Sequence, residues 1–339
     1  MVFLVVIAAF VAAAALCALL IPSFRRVFLV VPGARSSHST ATPQGGGLVV
    51  VPVALAVAGA AQFGAGGRPD ALAWSLSAAM LALMALGAWD DRAPLNPLLR
   101  LAVQAGAAGL ALAAAPVDVA GWLAILPPLL VWGCALIGML WFINLTNFMD
   151  GVDLMSVAQF VPAFATVYLL VAGLAGPAQW VGLLCLAAAG ALLGFAMLNR
   201  PEARLFLGDS GSLPLGVLGA TAALVVCGSR GPVVALLPFL YYFADATLTL
   251  ARRILAGEKF WHAHRDHFYQ RARRRGLSTW RIIRRVAACN FVLCALAVLI
   301  AGRSAAIQIG ALALGVAAVA LLMRDLVRER TDKPASSHR

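Results

Sequence analysis

Uncharged apolar runs of about twenty residues recur along this chain, separated by short polar segments, and no other feature restricts the fold as much. Such a run crosses ~30 Å of hydrocarbon as a helix rising ~1.5 Å per residue. Eleven spans are expected, at about 2–22, 46–66, 71–88, 98–117, 122–143, 157–176, 179–198, 213–229, 232–251, 286–302 and 304–323. The runs are too long for barrel strands and do not alternate. Of 339 residues, 62% are hydrophobic and 12% charged, against roughly 25% charged in a soluble domain. The expected fold is therefore an all-α polytopic membrane bundle. A single transmembrane domain covers residues 1–323, with loops at 23–45, 89–97, 144–156, 199–212 and 252–285, followed by a polar tail at 324–339. No positive charge precedes the first run, whereas Arg25 and Arg26 follow it, so it reads as a retained helix rather than a cleaved signal. The six cysteines form no C-x-x-C pair and all lie in apolar stretches, where they read as small packing residues.

Basic residues orient the bundle. With the N-terminus outside, only Arg68, Arg230 and Arg303 fall on the outer side, and every other Lys and Arg falls on the cytoplasmic side. An odd number of spans then puts the C-terminus inside. The net charge of +12 is thereby concentrated where anionic lipid headgroups lie, so membrane lipid and not nucleic acid is the expected polyanionic partner. Acidic residues follow the same side, although the positive-inside rule does not demand it: only Asp70 and Asp118 fall outside.

The cytoplasmic segments carry the chemistry. The first, PGARSSHSTATPQGGG, offers Arg35 and His38 as donors to phosphate and Gly45–Gly47 for close backbone approach. In the second, Asp90 and Asp91 are adjacent at the end of an apolar run. Two neighbouring carboxylates repel unless a cation or proton relieves them, and Mg²⁺ is the cation suited to oxygen ligands and substrate phosphates; solvated loop acids paired with Arg92 are the alternative. The third, NLTNFMDGVDLM, repeats Asn147, Asp150 and Asp153 at intervals of three, which puts them on one face of a helical turn or leaves them as caps. The fourth sets Asp209 among Gly208, Ser210, Gly211 and Ser212, at a turn that opens a helix; it suits an anion or a metal or a simple N-cap. The fifth contains HAHRDHFYQRARRRG, with His262, His264, Arg265 and His267 clustered; no cysteine completes a zinc set. Asp245 stands apart, inside the ninth span, where an ionisable group costs roughly 2.5–3.5 kcal/mol and so suggests function or a buried polar partnership.

TPQGGG, Asp90–Asp91, NFMDGVD, FLGDSGS and HAHRDH, in that order between about residues 32 and 276, resemble the cytoplasmic motifs of the polyprenyl-phosphate N-acetylhexosamine-1-phosphate transferases, of glycosyltransferase family 4 type. The layout is similar to the branch that initiates O-antigen and related surface glycans. The resemblance implies an inner-membrane enzyme with its site facing the cytoplasm. Its substrates would be a UDP-N-acetylamino sugar and undecaprenyl phosphate, its cofactor Mg²⁺ with Mn²⁺ as the alternative, and a homodimer is compatible with the family. It implies a metal ligand at Asp209, joined by Asp150, and catalytic carboxylates at Asp90, Asp91, Asp150 and Asp153. Substrate contacts would come from His38, Asn147, His264, Arg265 and His267. Two departures stand out. Many members carry Gly after NFMDGVD where this chain has Leu154, and the histidine segment lacks the adjacent histidines of the phospho-N-acetylmuramoyl-pentapeptide branch, which disfavours that substrate.

Two other classes compete. A transporter or lipid flippase would place polar groups near the bilayer midplane, where only Asp245 qualifies. A phosphotransferase using CDP-activated donors would carry D-G-x-x-A-R, which Asp150-Gly151 does not continue.

Overall fold

The computed structural model describes residues 1–30, 41–115, 127–258 and 265–328. His38, His264 and the tail beyond 328 lie outside these, as do the first residues of the expected span 122–143. The described residues are almost entirely helical, because a backbone in hydrocarbon must satisfy its own N–H and C=O groups.

All eleven expected spans find a helical counterpart. They are α1 (Val2–Val27), α2 (Gly47–Gly64), α3 (Ala71–Arg92), α4 (Pro97–Ala114), α5 (Pro128–Met149), α6 (Met155–Val171), α7 (Pro177–Asn199) and α8 (Asp209–Arg230). Next comes a broken span made of α9 (Pro232–Leu236), a 3₁₀ turn (Leu237–Phe239) and α10 (Leu240–Leu255). The short α11 (Phe268–Arg274) precedes α12 (Thr279–Ile300) and α13 (Ala305–Arg328). Among the described residues, ten helical spans are long and apolar enough to cross a membrane, and α6, of 17 residues, is shorter. Local sequence sets the ends. Asp70 caps α3 by accepting the Ala73 N–H at 2.8 Å, and Asn96 caps α4 by accepting the Leu98 N–H at 2.8 Å with Pro97 at the first helical position.

Helices α7 and α8 form the centre: 83% and 78% of their apolar stretches are buried, against 28% for α1, α4 and α13. Helix α7 packs on α1, α2 and α6, and α8 packs on α3 and α5. The outer helices keep apolar faces exposed, including Phe3, Leu4, Leu98, Ile309 and Leu314, as lipid requires.

Pro238 interrupts the ninth span, since proline has no N–H for the helical ladder. The Gln159 side chain of α6 donates to the Pro238 carbonyl at 2.8 Å, and Asn290 of α12 donates to Gln159 Oε1 at 3.2 Å and to the Ala158 carbonyl at 3.0 Å. Three buried polar groups thus pin the break between two helices.

A two-residue ladder, β1 (Leu29–Val30) with β2 (Thr42–Pro43), brings the chain back from α1 to α2. It continues as a strap. The Phe206 N–H bonds the Pro43 carbonyl, and the N–H groups of Gly46 and Gly47 bond the carbonyls of Phe206 and Leu207, each at 2.9 Å. The GGG segment therefore runs alongside the residues leading into Asp209.

Candidate active site

Asp209 is the first residue of α8 and lies where the ends of four helices converge. Its Oδ1 accepts from Asn147 Nδ2 of α5 at 2.7 Å, and the same amide reaches Ser212 Oγ at 3.0 Å. Its Oδ2 accepts from Arg100 Nη2 of α4 at 2.9 Å. The other arm of Arg100, Nη1, donates to Asp90 Oδ2 of α3 at 2.7 Å. Asp90 Oδ1 also accepts the Leu95 N–H at 2.8 Å, which closes the turn between α3 and α4. Asp91 points the other way, into the start of α8: its Oδ1 accepts the Asp209 N–H at 2.9 Å and its Oδ2 the Ser210 N–H at 3.1 Å.

Such close convergence needs missing side chains. A Cβ on Gly87 would overlap the Asp209 carbonyl, and a Cβ on Gly47 would overlap the backbone joining Ser210 to Gly211. The glycines of GAWDD and GGG are therefore what let α3 and α2 close against the α8 terminus.

Asp150 ends α5 and accepts from Ser156 Oγ at 2.6 Å. Burial pushes its carboxyl up to about 7; the Ser156 hydrogen bond opposes the shift, and the nearby charges of Asp91 and Asp153 add to it. Asp153 is buried beside it. Leu154, which follows, is held at φ 64° with its N–H bonded to Asn199 Oδ1 at 2.7 Å. This is the left-handed conformation that glycine adopts without strain, so the departure noted in the sequence falls where a glycine would have cost nothing.

The histidine segment docks against this end of the bundle. Tyr269 Oη donates to the Phe148 carbonyl at 3.0 Å, and the His267 ring stacks on Tyr269 with centroids 6.0 Å apart. Asp245 anchors it: Oδ1 accepts the Phe268 N–H at 3.0 Å and lies 3.2 Å from His267 Nδ1, while Tyr241 and Thr249 hydroxyls donate to its two oxygens. Asp245, the carboxylate inside the ninth span, is thus fully buried and serves the start of α11. Asp266 adds ion pairs to Arg253 and, at 3.2 Å, to Arg274. Arg265 carries a buried Nη2 with no hydrogen-bond partner among the described residues.

Of the residues the sequence nominated, Asp90, Asp91, Asn147 and Asp209 meet directly, and Asp150 and Asp153 sit on the next turn. His267 is buried at 3% exposure, in the wall rather than on an open surface. Arg100 and Asn199 were read only as a topological charge and as the start of a loop, yet one bridges two site carboxylates and the other holds Leu154. A signal existed for Arg100: a cation in the first turn of a helix is set against the macrodipole, which asks for an anionic partner.

The oxygen-rich donor set suits a hard cation. Among the described residues no three His, Cys, Asp or Glu side chains converge as a ready ligand cage. Mg²⁺ bound through one or two carboxylates, with waters and substrate phosphate completing its shell, needs no such cage, so Asp209 and its neighbours fit it. Some 11 residues, or ~16 Å, up α8 from Asp209, an apolar cavity of about 230 Å³ opens between α5, α8 and the broken span, lined by Met139, Phe142, Ala220, Leu224, Phe239 and Phe243.

A polytopic helical bundle with a carboxylate cluster where four helix ends meet defines a multi-pass membrane protein. Residues 73–227 match the model of glycosyl transferase family 4, and the chain belongs to that family. It is similar to proteins named phospho-N-acetylmuramoyl-pentapeptide-transferase. With the one from Synechococcus sp. (strain WH7803) it shares 35% identity over 204 residues, 54% of each chain. With that of Synechococcus sp. (strain CC9605) it shares 34% over 238 residues, 63% of this chain and 67% of the relative. The match to the protein of Limosilactobacillus fermentum is 41% identical over 98 residues. The chain spans little more than half the length of the first of these relatives.

Proposed function

We propose that this protein transfers a sugar 1-phosphate from a UDP-N-acetylamino sugar to a polyprenyl phosphate such as undecaprenyl phosphate, releasing UMP. The observation that carries the reading is the meeting of Asp90, Arg100, Asn147 and Asp209, from four different helices, at one end of a membrane bundle. Family membership supports the same chemistry.

In the reaction, an oxygen of the carrier phosphate attacks the β-phosphorus of the UDP-sugar. The bond between that phosphorus and the bridging oxygen breaks, and UMP leaves with the electron pair. The attacking phosphate is already ionised near neutral pH, so positioning and charge neutralisation matter more than a strong base. Asp209 would hold Mg²⁺, or Mn²⁺, with Asp150 as the second carboxylate. When bound, the cation supplies charge neutralisation for the diphosphate. Asn147 fixes the Asp209 carboxylate through Oδ1. Arg100 supplies a permanent positive charge between the two acids, and Arg265 offers a free donor to a phosphate oxygen. The apolar cavity between α5 and α8 suits part of a polyprenyl chain. We place the site at the cytoplasmic face of the inner membrane, the side to which the basic residues of the loops point.

For the donor, we propose an N-acetylamino sugar of surface-glycan synthesis, on the histidine segment HAHRDH. A second reading, UDP-N-acetylmuramoyl-pentapeptide and hence cell-wall synthesis, is favoured by the names of the relatives. The test is UMP release from purified protein, Mg²⁺, undecaprenyl phosphate and a panel holding both donor types, with Asp209→Asn alongside. Release that needs the lipid phosphate and is lost in the variant supports the transfer, and the active donor decides between the readings. Folded protein silent with every donor would overturn the transferase assignment.

A further inference from the structure

Asp91 looks, from sequence, like the twin of Asp90, but the two carboxylates are used differently. Asp90 faces Arg100. Both oxygens of Asp91 are taken by consecutive backbone N–H groups, those of Asp209 and Ser210. Helix α8 has no capping side chain of its own: the residue before it is Gly208, at φ 76°. Its first N–H groups would otherwise face a crowded, partly buried terminus without an acceptor. Gly208 is also where a side chain could not be added, since a Cβ there would approach Asp91 Oδ2. The carboxylate thus reaches across from α3 and does for α8 what an N-cap does within a helix, with a full negative charge at the positive end of the dipole.

We infer that Asp91 is a positioning residue: it clamps the α8 terminus from α3 and so aims the Asp209 carboxylate, rather than acting on the reacting phosphates. The inference rests on the transferase reading for its kinetic consequence but not for its structural one. The orientation of Asp209 is set by its φ, ψ and χ angles, and the clamp fixes the peptide groups on both sides of those bonds. Asn147 and Arg100 then hold its two oxygens, so the acid is constrained from both ends. An asparagine at 91 keeps one acceptor oxygen and turns an N–H₂ toward the second backbone N–H, so it makes half the clamp. An alanine makes none. A residue serving as base or nucleophile would show no such grading, because Asn and Ala both abolish either role.

The experiment is hydrogen exchange followed by mass spectrometry on the peptide spanning 205–215, in wild type, Asp91→Asn and Asp91→Ala, together with UMP release and an apparent Tm. The expected result is exchange at the α8 terminus rising about fivefold to tenfold in Asp91→Asn, as for one lost hydrogen bond, and further in Asp91→Ala. The rest of α8 stays protected, the Tm stays close to wild type, and kcat falls in the same graded order with a smaller change in KM. Unchanged exchange at the terminus, with both variants equally inactive, would overturn the inference and make Asp91 a catalytic residue. Altered exchange in a protein that releases no UMP even as wild type would sink the transferase reading and leave the clamp standing.

Discussion

Single side chains at this site are under opposing demands. Asp150 is the clearest case. Its carboxyl is raised to about 7, first by burial, above an ordinary value of ~3.9. The folded protein therefore favours the protonated form. The stability this group contributes is complete below ~4 and is lost as pH rises through about 7. Catalysis that needs the carboxylate runs the opposite way. A cation beside the carboxylate favours its ionised form, so the acid limb of kcat/KM should lie below pH 7 in Mg²⁺ and move up as Mg²⁺ is lowered, and Asp150→Asn should flatten that limb. In EDTA the same variant should show a higher apparent Tm than wild type at pH 8, with the gap closing at pH 4. Leu154 poses a second conflict. Its left-handed backbone costs ~1–2 kcal/mol, but its side chain is buried, and truncating a buried leucine costs roughly 2–5 kcal/mol. Burial wins, so Leu154→Gly should lower stability despite relieving the backbone, with a net loss of about 1–3 kcal/mol read from denaturation in detergent. A gain would mean that the side chain contributes little packing.

At the scale of elements, two connections depend on polar groups that reach across helices. Asp245 holds the N-terminus of α11 and the His267 ring from within α10. Removing it leaves the partly buried Phe268 N–H without its acceptor, at ~1 kcal/mol. Asp245→Ala should leave the bundle intact but loosen α11, seen as faster trypsin cleavage within the arginine run 271–275. Protection equal to wild type would show that the ion pairs of Asp266 suffice. The broken span depends on Gln159. Gln159→Leu leaves the Pro238 carbonyl without its donor, and the loss should be near ~1 kcal/mol, the scale measured for side-chain hydrogen bonds within membranes. The same substitution should not change the donor preference, because the break lies away from Asp209.

Among the described residues, the carboxylate and amide cluster around Asp209 gathers at one end of the bundle, and transferase and transporter readings of such a cluster predict different behaviour. A transferase needs only its site, so UMP release should be equal in detergent and in sealed vesicles, and EDTA should abolish it with recovery on adding Mg²⁺ or Mn²⁺. Activity that requires a sealed compartment would favour translocation instead. A carboxylate such as Asp245, buried and satisfied by four donors from its own and the next helix, is built as a structural anchor and is poorly placed to carry a moving substrate.

The spans and the α-helical class were legible in the sequence, because the hydrocarbon slab imposes its length and polarity on each segment separately. The acid and amide motifs were legible too: Asp90, Asn147 and Asp209 do converge. What one-dimensional reading could not reach was which group faces which. Asp90 and Asp91 are adjacent and identical in kind, yet one turns toward Arg100 and the other toward the α8 backbone, because successive residues on a helix point about 100° apart and their partners come from other helices. Arg100 gained its role only when α4 was laid beside α8. Of the two readings open for Asp245, function or a buried polar partnership, the second holds once α11 is seen to start against it. Local composition determines where a chain crosses a membrane; contacts between different helices, made only on packing and in the case of Asp209 with Arg100 and Asp91 more than a hundred positions apart, decide what each charged group does there.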